Sequence, residues 1–211
     1  MIELVAFLGN PGREYAQNRH NAGRLLAEAL PFSASLPWQK KYKGVYASIE
    51  GSMLRDYQKE VSSPVSQEEP PIPGKIHLLL PETYMNLSGD SVYAAAAFFK
   101  IPVRNILVVH DELELPLGTA AYKFSGGLGG HNGLRSMKAN FVTGDFWRFR
   151  LGIGRPPHAD VDIADWVLSD FSLDEQSIFA RVLDSCAQAL IRALVHGPAS
   201  LLPEWNKKQL L

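Results

Sequence analysis

The stretch Asn105-Ile106-Leu107-Val108-Val109-His110, running on into Asp111-Glu112-Leu113-Glu114, decides how the chain is read. Its consecutive aliphatic residues form the clearest buried strand in the sequence, and the acidic run after it marks a loop. On the N-terminal side, residues 4–8 (LVAFL) form another short apolar run, stopped by Gly9-Asn10-Pro11-Gly12, where two glycines and a proline forbid a continued strand. A helix is predicted over residues 21–30, with Leu25, Leu26, Ala29 and Leu30 at helical spacing and Pro31 ending it. Residues 45–49 and 76–80 read as strands, and 88–99 as an alanine-rich helix capped by Ser88 or Asp90. Beyond the acidic loop come a strand at 119–124, a helix at about 132–141, a strand at 147–153 and a helical remainder, chiefly 173–195. Strands alternating with helices, without internal repeats or a composition break, predict an α/β fold in a single domain, residues 1–211. Residues 58–73 (QKEVSSPVSQEEPPIP) are polar and aperiodic with four prolines, and read as a flexible surface insertion.

The 211 residues are 46% hydrophobic, 20% charged and 10% aromatic, which excludes disordered, collagen-like and coiled-coil classes. A chain of this length buries roughly 70% of its unfolded surface, enough for a core without metal or disulfide staples. The single cysteine, Cys186, permits no intrachain disulfide and is read as a core thiol, in keeping with a reducing cytosol. No apolar run approaches the ~18 residues of a membrane span. The opening residues, without a basic lead, read as a strand entering a turn and not as a secretory signal. Net charge is −1, which argues against a generic polyanion binder, but the total conceals an asymmetry. Residues 115–158 carry six basic residues against Asp145 alone, +5, whereas residues 159–206 carry eight acidic ones against Arg181 and Arg192, −6. The central segment can offer phosphates a patch; a mixed solvated surface is the alternative that charge alone leaves open.

Ligand sites in α/β sheets collect in loops beyond the carboxyl ends of strands, and the loops after Leu8, Leu80 and His110 all carry polar residues a simple turn does not need. His20, in Arg19-His20-Asn21-Ala22-Gly23 at the mouth of the first helix, can titrate near neutrality as a general base must, or can be a surface or capping histidine. Asp111 can orient and charge-stabilise a histidine from another loop, or belong to an ordinary acidic loop. Asn86, just before a helix, can cap it or present its carboxamide to a carbonyl. Gly126-Gly127-Leu128-Gly129-Gly130-His131-Asn132 fails both the dinucleotide and the phosphate-loop patterns. It reads as a substrate loop whose glycines let backbone N–H groups approach an oxyanion, with Asn132 as an uncharged donor. His20, His110, Asp111 and His131 do not stand at a metal-ligand spacing, and no Gly-x-Ser-x-Gly elbow supports a serine nucleophile.

Five motifs in order, Gly-Asn-Pro-Gly with Tyr15 and Arg-His-Asn-Ala-Gly, then Thr83-Tyr84-Met85-Asn86-Leu87-Ser88-Gly89, His-Asp-Glu-Leu-Glu-Leu-Pro, Gly-Gly-His-Asn-Gly-Leu, and Arg148-Phe149-Arg150-Leu151-Gly152-Ile153-Gly154-Arg155-Pro156, resemble the bacterial-type peptidyl-tRNA hydrolase family. The resemblance implies a mixed twisted sheet flanked by helices and a metal-free enzyme, without cofactor, that cleaves the ester between peptide and tRNA. It implies His20 as catalytic base and Asp111 as its partner. Asn10, Tyr15, Asn86 and Asn132 then bind substrate near the ester, and Lys123 and Arg150 grip a tRNA phosphate. A cytoplasmic monomer without membrane contact is expected, with peptidyl-tRNA as its partner. An RNA-binding module of the same fold, not used as a hydrolase, is the alternative; His20, Asp111 and the three asparagines favour the enzyme, because phosphate binding does not need them. Two departures from the family pattern stand out beside the insertion. Leu128 occupies a loop position that is often polar, and the tail Leu202-Pro203-Glu204-Trp205-Asn206 leaves any basic help to Lys207 and Lys208.

Overall fold

Strands with apolar side chains on both faces have to be covered on both sides, and four such strands lie parallel at the centre of this fold. The computed structural model describes residues 1–59, 71–158 and 160–210. Its strands are β1 (Leu4–Phe7), β2 (Gln39–Lys41), β3 (Gly44–Glu50), β4 (Lys75–Pro81), β5 (Ile106–Glu112), β6 (Thr119–Phe124), β7 (Trp147–Gly152) and β8 (Lys208–Gln209). Its helices are α1 (Ala22–Ala29), α2 (Gly51–Lys59), α3 (Ser88–Phe99), α4 (Asn132–Phe141), α5 (Ile163–Leu168), α6 (Leu173–His196) and α7 (Pro198–Leu201). The described strands form one mixed sheet of order β2-β3-β4-β1-β5-β7-β6-β8. The centre β4-β1-β5-β7 is parallel, and antiparallel strands are added at either edge.

The period of two along the strands sorts the core into two layers. Val5, Phe7, Leu107, Val109, Phe149 and Leu151 face one side, where α1, α2 and α6 cover them. Leu4, Ala6, Leu8, Ile106 and Val108 face the other, against Val92, Ala95 and Ala96 of α3 and Leu134 and Met137 of α4. The expected α/β architecture, a mixed sheet flanked by helices, is therefore what the chain adopts. Cys186 lies buried in α6, and burial pushes its thiol pKa up. No helix among the described residues is long and apolar enough to cross a membrane.

Several local expectations change. Asp111 and Glu112 belong to β5 and not to a loop, which makes the strand's last turns of backbone carry the acid. Neither Ser88 nor Asp90 caps α3, because a 3-10 turn, Met85–Leu87, runs straight into the helix and leaves no break for a capping side chain. Asn86 sits inside that turn and makes no cap either. Gln58, expected to open the insertion, is in α2, and Ile72 at its far end packs on the core. Residues 60–70 of the expected insertion lie outside the described residues. The remainder after 153 is not all helical: β8 pairs antiparallel with β6, and Lys208 Nζ is bound to Glu204 Oε1 at 2.7 Å, so the tail closes a sheet edge.

What positions the site is the close approach of α1 to the sheet. A Cβ on Gly23 would stand 2.7 Å from the backbone oxygens of both Leu8 and Val109. Only a glycine lets the first turn of α1 settle there and bring the preceding 3-10 turn, Arg19–Asn21, over the end of β5. Gly23→Ala is therefore expected to lower stability by about 1–3 kcal/mol, as overpacking does, measured by urea unfolding. A wild-type midpoint would mean that the helix can shift without cost.

Candidate active site

Asp111 is 2% exposed at the carboxyl end of β5, where a carboxylate has no water to solvate it. Two histidines from different elements take that place. His20 Nδ1 lies 2.9 Å from both carboxylate oxygens, and His131 Nε2 lies 2.9 Å from Oδ1. Burial alone would raise the Asp111 pKa, but the two rings outweigh it and hold the carboxyl well below the usual range. Burial likewise works against a charged His20, yet the charge and hydrogen bond of Asp111 more than compensate, and its pKa lies above the ordinary 6.5. His110, beside them, is driven well below its ordinary value, first by burial and then by His131, so it stays neutral.

The orientation of His131 follows from its place at the start of α4. Its Nδ1 accepts the backbone N–H of Gly133 at 3.1 Å and of Leu134 at 3.4 Å, as an N-cap side chain does. Nδ1 therefore bears no hydrogen, and the ring proton sits on Nε2, aimed at Asp111. One consequence concerns the start of α4: the amides of Gly133 and Leu134 are occupied by the ring and do not face the cleft, whereas Gly129 and Gly130 of the Gly-rich loop line it. The loop also needs glycine for its conformation, since Gly126, Gly129 and Gly130 have φ of 103°, 57° and 75°. A second consequence concerns metals. His20, Asp111 and His131 place ligand atoms within 4.8 Å of one another. Nε2 of His131, however, is the protonated nitrogen, and the amides at Nδ1 prevent the proton from moving there. The trio therefore suits a shared hydrogen-bonded carboxylate better than a cation.

A cleft of about 570 Å³ opens over this trio. Asn10, Tyr15, His20, Asn86, Asp111 and Asn132 all line it. Asn10 is held at the end of β1 by a reciprocal pair with Asn21, Asn10 N–H to Oδ1 at 2.8 Å and Nδ2–H to Asn10 O at 3.0 Å. The backbone N–H of Met85 donates to Asn10 Oδ1 at 2.7 Å, which leaves Asn10 Nδ2 as the end of the carboxamide without a partner among the described residues. Asn132 is similar, because Arg135 Nη1 donates to its Oδ1 at 2.7 Å. His20 Nε2 has no partner among the described residues, although the other ring nitrogen is taken.

A sequence model of the family described as Peptidyl-tRNA hydrolase matches residues 4–210. The chain belongs to the peptidyl-tRNA hydrolase family. A peptidyl-tRNA hydrolase of Treponema pallidum (strain Nichols) is 47% identical over 213 residues, covering 100% of this chain and 97% of the relative. One from Desulfitobacterium hafniense (strain Y51) is 39% identical, covering 98% and 100% respectively. Among solved structures, the crystal structure of peptidyl-tRNA hydrolase from Acinetobacter baumannii superposes with a TM-score of 0.77 at 32% identity, over 100% of this chain and 97% of that one.

Within this family frame, six of the eight residues singled out from the sequence converge on the cleft, and two stand apart. Lys123 and Arg150 share one face of the β6–β7 ladder, where Lys123 opposes Arg148 and Arg150 opposes Ala121. Phe149 and Leu151 are buried on the opposite face, as alternation requires. Lys123 is exposed, but Arg150 is not a free cation: its Nε is 2.9 Å from Glu112 Oε2, one residue beyond Asp111. Arg148, between them in register, turns inward and donates to the carbonyls of Gly126 and Gly127, pinning the loop.

Sequence reasoning missed His131 except as a metal ligand, because histidine is not a favoured N-cap and nothing local ties it to Asp111. It also missed Asn21, which locks the Asn10 turn, and Arg19. The Arg19 guanidinium is 4% exposed, stacks 3.7 Å from the Trp166 ring and reaches Glu175 Oε2 at 2.6 Å and Ser169 Oγ at 2.7 Å. It thereby fastens α5, whose Ile163, Ala164, Val167 and Leu168 form a wall of the cleft, to the turn that carries His20. Contacts separated by some 150 residues leave no local pattern to read. Removing the carboxylate and removing its second partner, His131, make opposite predictions for the His20 ring, followed by NMR titration. Asp111→Asn removes the charge and should bring the His20 pKa down. His131→Phe, which keeps a ring but gives Asp111 no donor, should raise it further. Shifts of the same sign would show that the carboxylate is not shared.

Proposed function

We propose that this cleft hydrolyses the ester between the peptide and the terminal ribose of peptidyl-tRNA, recycling tRNA from abandoned translation. The observation that carries the reading is His20: Nδ1 is held by a buried carboxylate while Nε2 is open to a cleft lined by carboxamides whose oxygens, at Asn10 and Asn132, are already occupied. In that arrangement Nε2 takes a proton from water as its oxygen attacks the ester carbonyl carbon. The imidazolium so formed is stabilised by Asp111. Collapse of the tetrahedral intermediate breaks the bond to the ribose oxygen, which receives the proton from Nε2. No covalent enzyme intermediate is required, since an ester's leaving group needs less assistance than an amide's. The Nδ2 groups of Asn10 and Asn132, both with their oxygens occupied, suit carbonyl oxygens of the substrate, and Asn86 and Tyr15 border the same space.

Lys123 and the terminal nitrogens of Arg150 serve as the grip on a tRNA phosphate, with Glu112 keeping the Arg150 side chain in place. Phosphate contacts position a nucleic acid without reading its sequence, in keeping with a substrate whose tRNA part varies. We take the working form to be a cytoplasmic monomer. An RNA-binding module would need the cations but not a histidine paired with a buried acid.

The test is release of the blocked amino acid from N-blocked aminoacyl-tRNA. His20→Ala should lower the rate by ~10²–10⁴ while tRNA binding persists. Activity within a few-fold of wild type would remove His20 from proton transfer. Because the His20 pKa is raised and the neutral ring is the base, activity should climb with pH through a value above 6.5, and Asp111→Asn should move that rise to lower pH. Lys123→Ala with Arg150→Ala should raise KM and flatten the salt dependence of binding, because fewer counterions are released. An unchanged salt slope would take the phosphate away from these two residues.

A further inference from the structure

Asn132 opens α4, and Arg135 follows three residues later, so the two side chains are neighbours on one face of the helix. A guanidinium has donors only, and the atom 2.7 Å from Arg135 Nη1 is therefore the oxygen of the Asn132 carboxamide. Nδ2, at the other end of that planar group, is left for the cleft that Asn132 lines, and nothing among the described residues accepts from it. The position of Arg135 points the same way. A cation in the first turn of a helix faces the positive end of the macrodipole, so helix stability does not account for it. None of the ion pairs among the described residues includes Arg135. At Asn10, the equivalent hold comes from a backbone N–H, that of Met85, which no side-chain substitution removes.

We infer that Arg135 is a positioning residue for ester hydrolysis: it holds the Asn132 oxygen so that Nδ2 is presented to a carbonyl oxygen of the substrate. The inference rests on the reading of Asn132 as a donor. Being ionised, the guanidinium also polarises the carboxamide and strengthens its N–H groups as donors. Without it the carboxamide is free to rotate and offers the cleft either end.

Kinetics on N-blocked aminoacyl-tRNA test this through a double-mutant cycle. Arg135→Ala should lower kcat about three- to tenfold, the usual worth of one hydrogen bond, with KM little changed. Arg135→Lys, which keeps a cationic donor, should recover most of the loss. Arg135→Glu should be worse than Ala, because a carboxylate attracts Nδ2 and turns Oδ1 toward the substrate. In an Asn132→Ala background all three substitutions should lose their effect on kcat. A loss that persists in that background, is carried by KM and comes with a shallower salt dependence would overturn the inference and make Arg135 a phosphate contact. If Asn132→Ala alone leaves kcat unchanged, the donor reading of Asn132 fails first, and the inference falls with it.

Discussion

The carboxylate of Asp111 is the constraint around which the functional half of the molecule is arranged. An ionised group so deeply buried costs several kcal/mol unless donors replace the lost water. Here the donors are rings of His20 and His131, brought from the turn before α1 and from the start of α4. Each ring is therefore fixed twice, once by the acid and once by its own element: His131 through the first-turn amides of α4, His20 through a turn clamped by Arg19 to the segment between α5 and α6. The one ring nitrogen left over, His20 Nε2, opens onto the cleft. A reactive atom is thus left over once the carboxylate and the other nitrogens of the two rings have been paired.

Beside the buried Asp111 and the Arg150-paired Glu112, the polar side chains that furnish the cleft are carboxamides, imidazoles and phenols. Asn10 and Asn132 have their oxygens occupied by donors and differ in how rigidly: one is held by the backbone of Met85, the other by a side chain. Neutral donors aimed inward suit a carbonyl that gains negative charge only briefly, since a nearby cation would lower the basicity of His20. Lys123, Arg148 and Arg150 stand on the β6–β7 face, and the two more buried of them are already engaged, Arg150 with Glu112 and Arg148 with two carbonyls of the Gly-rich loop. Pinned in this way, the loop carries three glycines at positive φ and delivers His131 to Asp111.

The strong periodic signals in the sequence specified their elements correctly. The aliphatic run before His110, the alternation around Phe149, and helices α1, α3, α4 and α6 all lie where spacing put them, because burial on one or both faces dictates a period that residue types record directly. Short or marginal elements were not legible. α2 is short and mostly polar, with Leu54 and Tyr57 packing on the core, and β2 and β8 owe their existence to edge pairing with β3 and β6. The cap of α3 was misread because a 3-10 turn abolishes the helix boundary at Ser88.

At the site, the sequence by itself determined which chemistries are available: an imidazole, an acid at a strand end and three carboxamides in turns or at a helix start. Residue type and strand polarity suffice for that. Tertiary structure alone decided who meets whom. It made Asp111 the partner of two histidines and not one, put the His131 proton on Nε2 through a helix cap, tied Arg150 to Glu112, and set α5 as a wall by means of Arg19. The physical reason is range. Propensity and periodicity act over a few residues, whereas the proton positions and ion pairs that tune this site are fixed by groups that only folding brings within three ångströms.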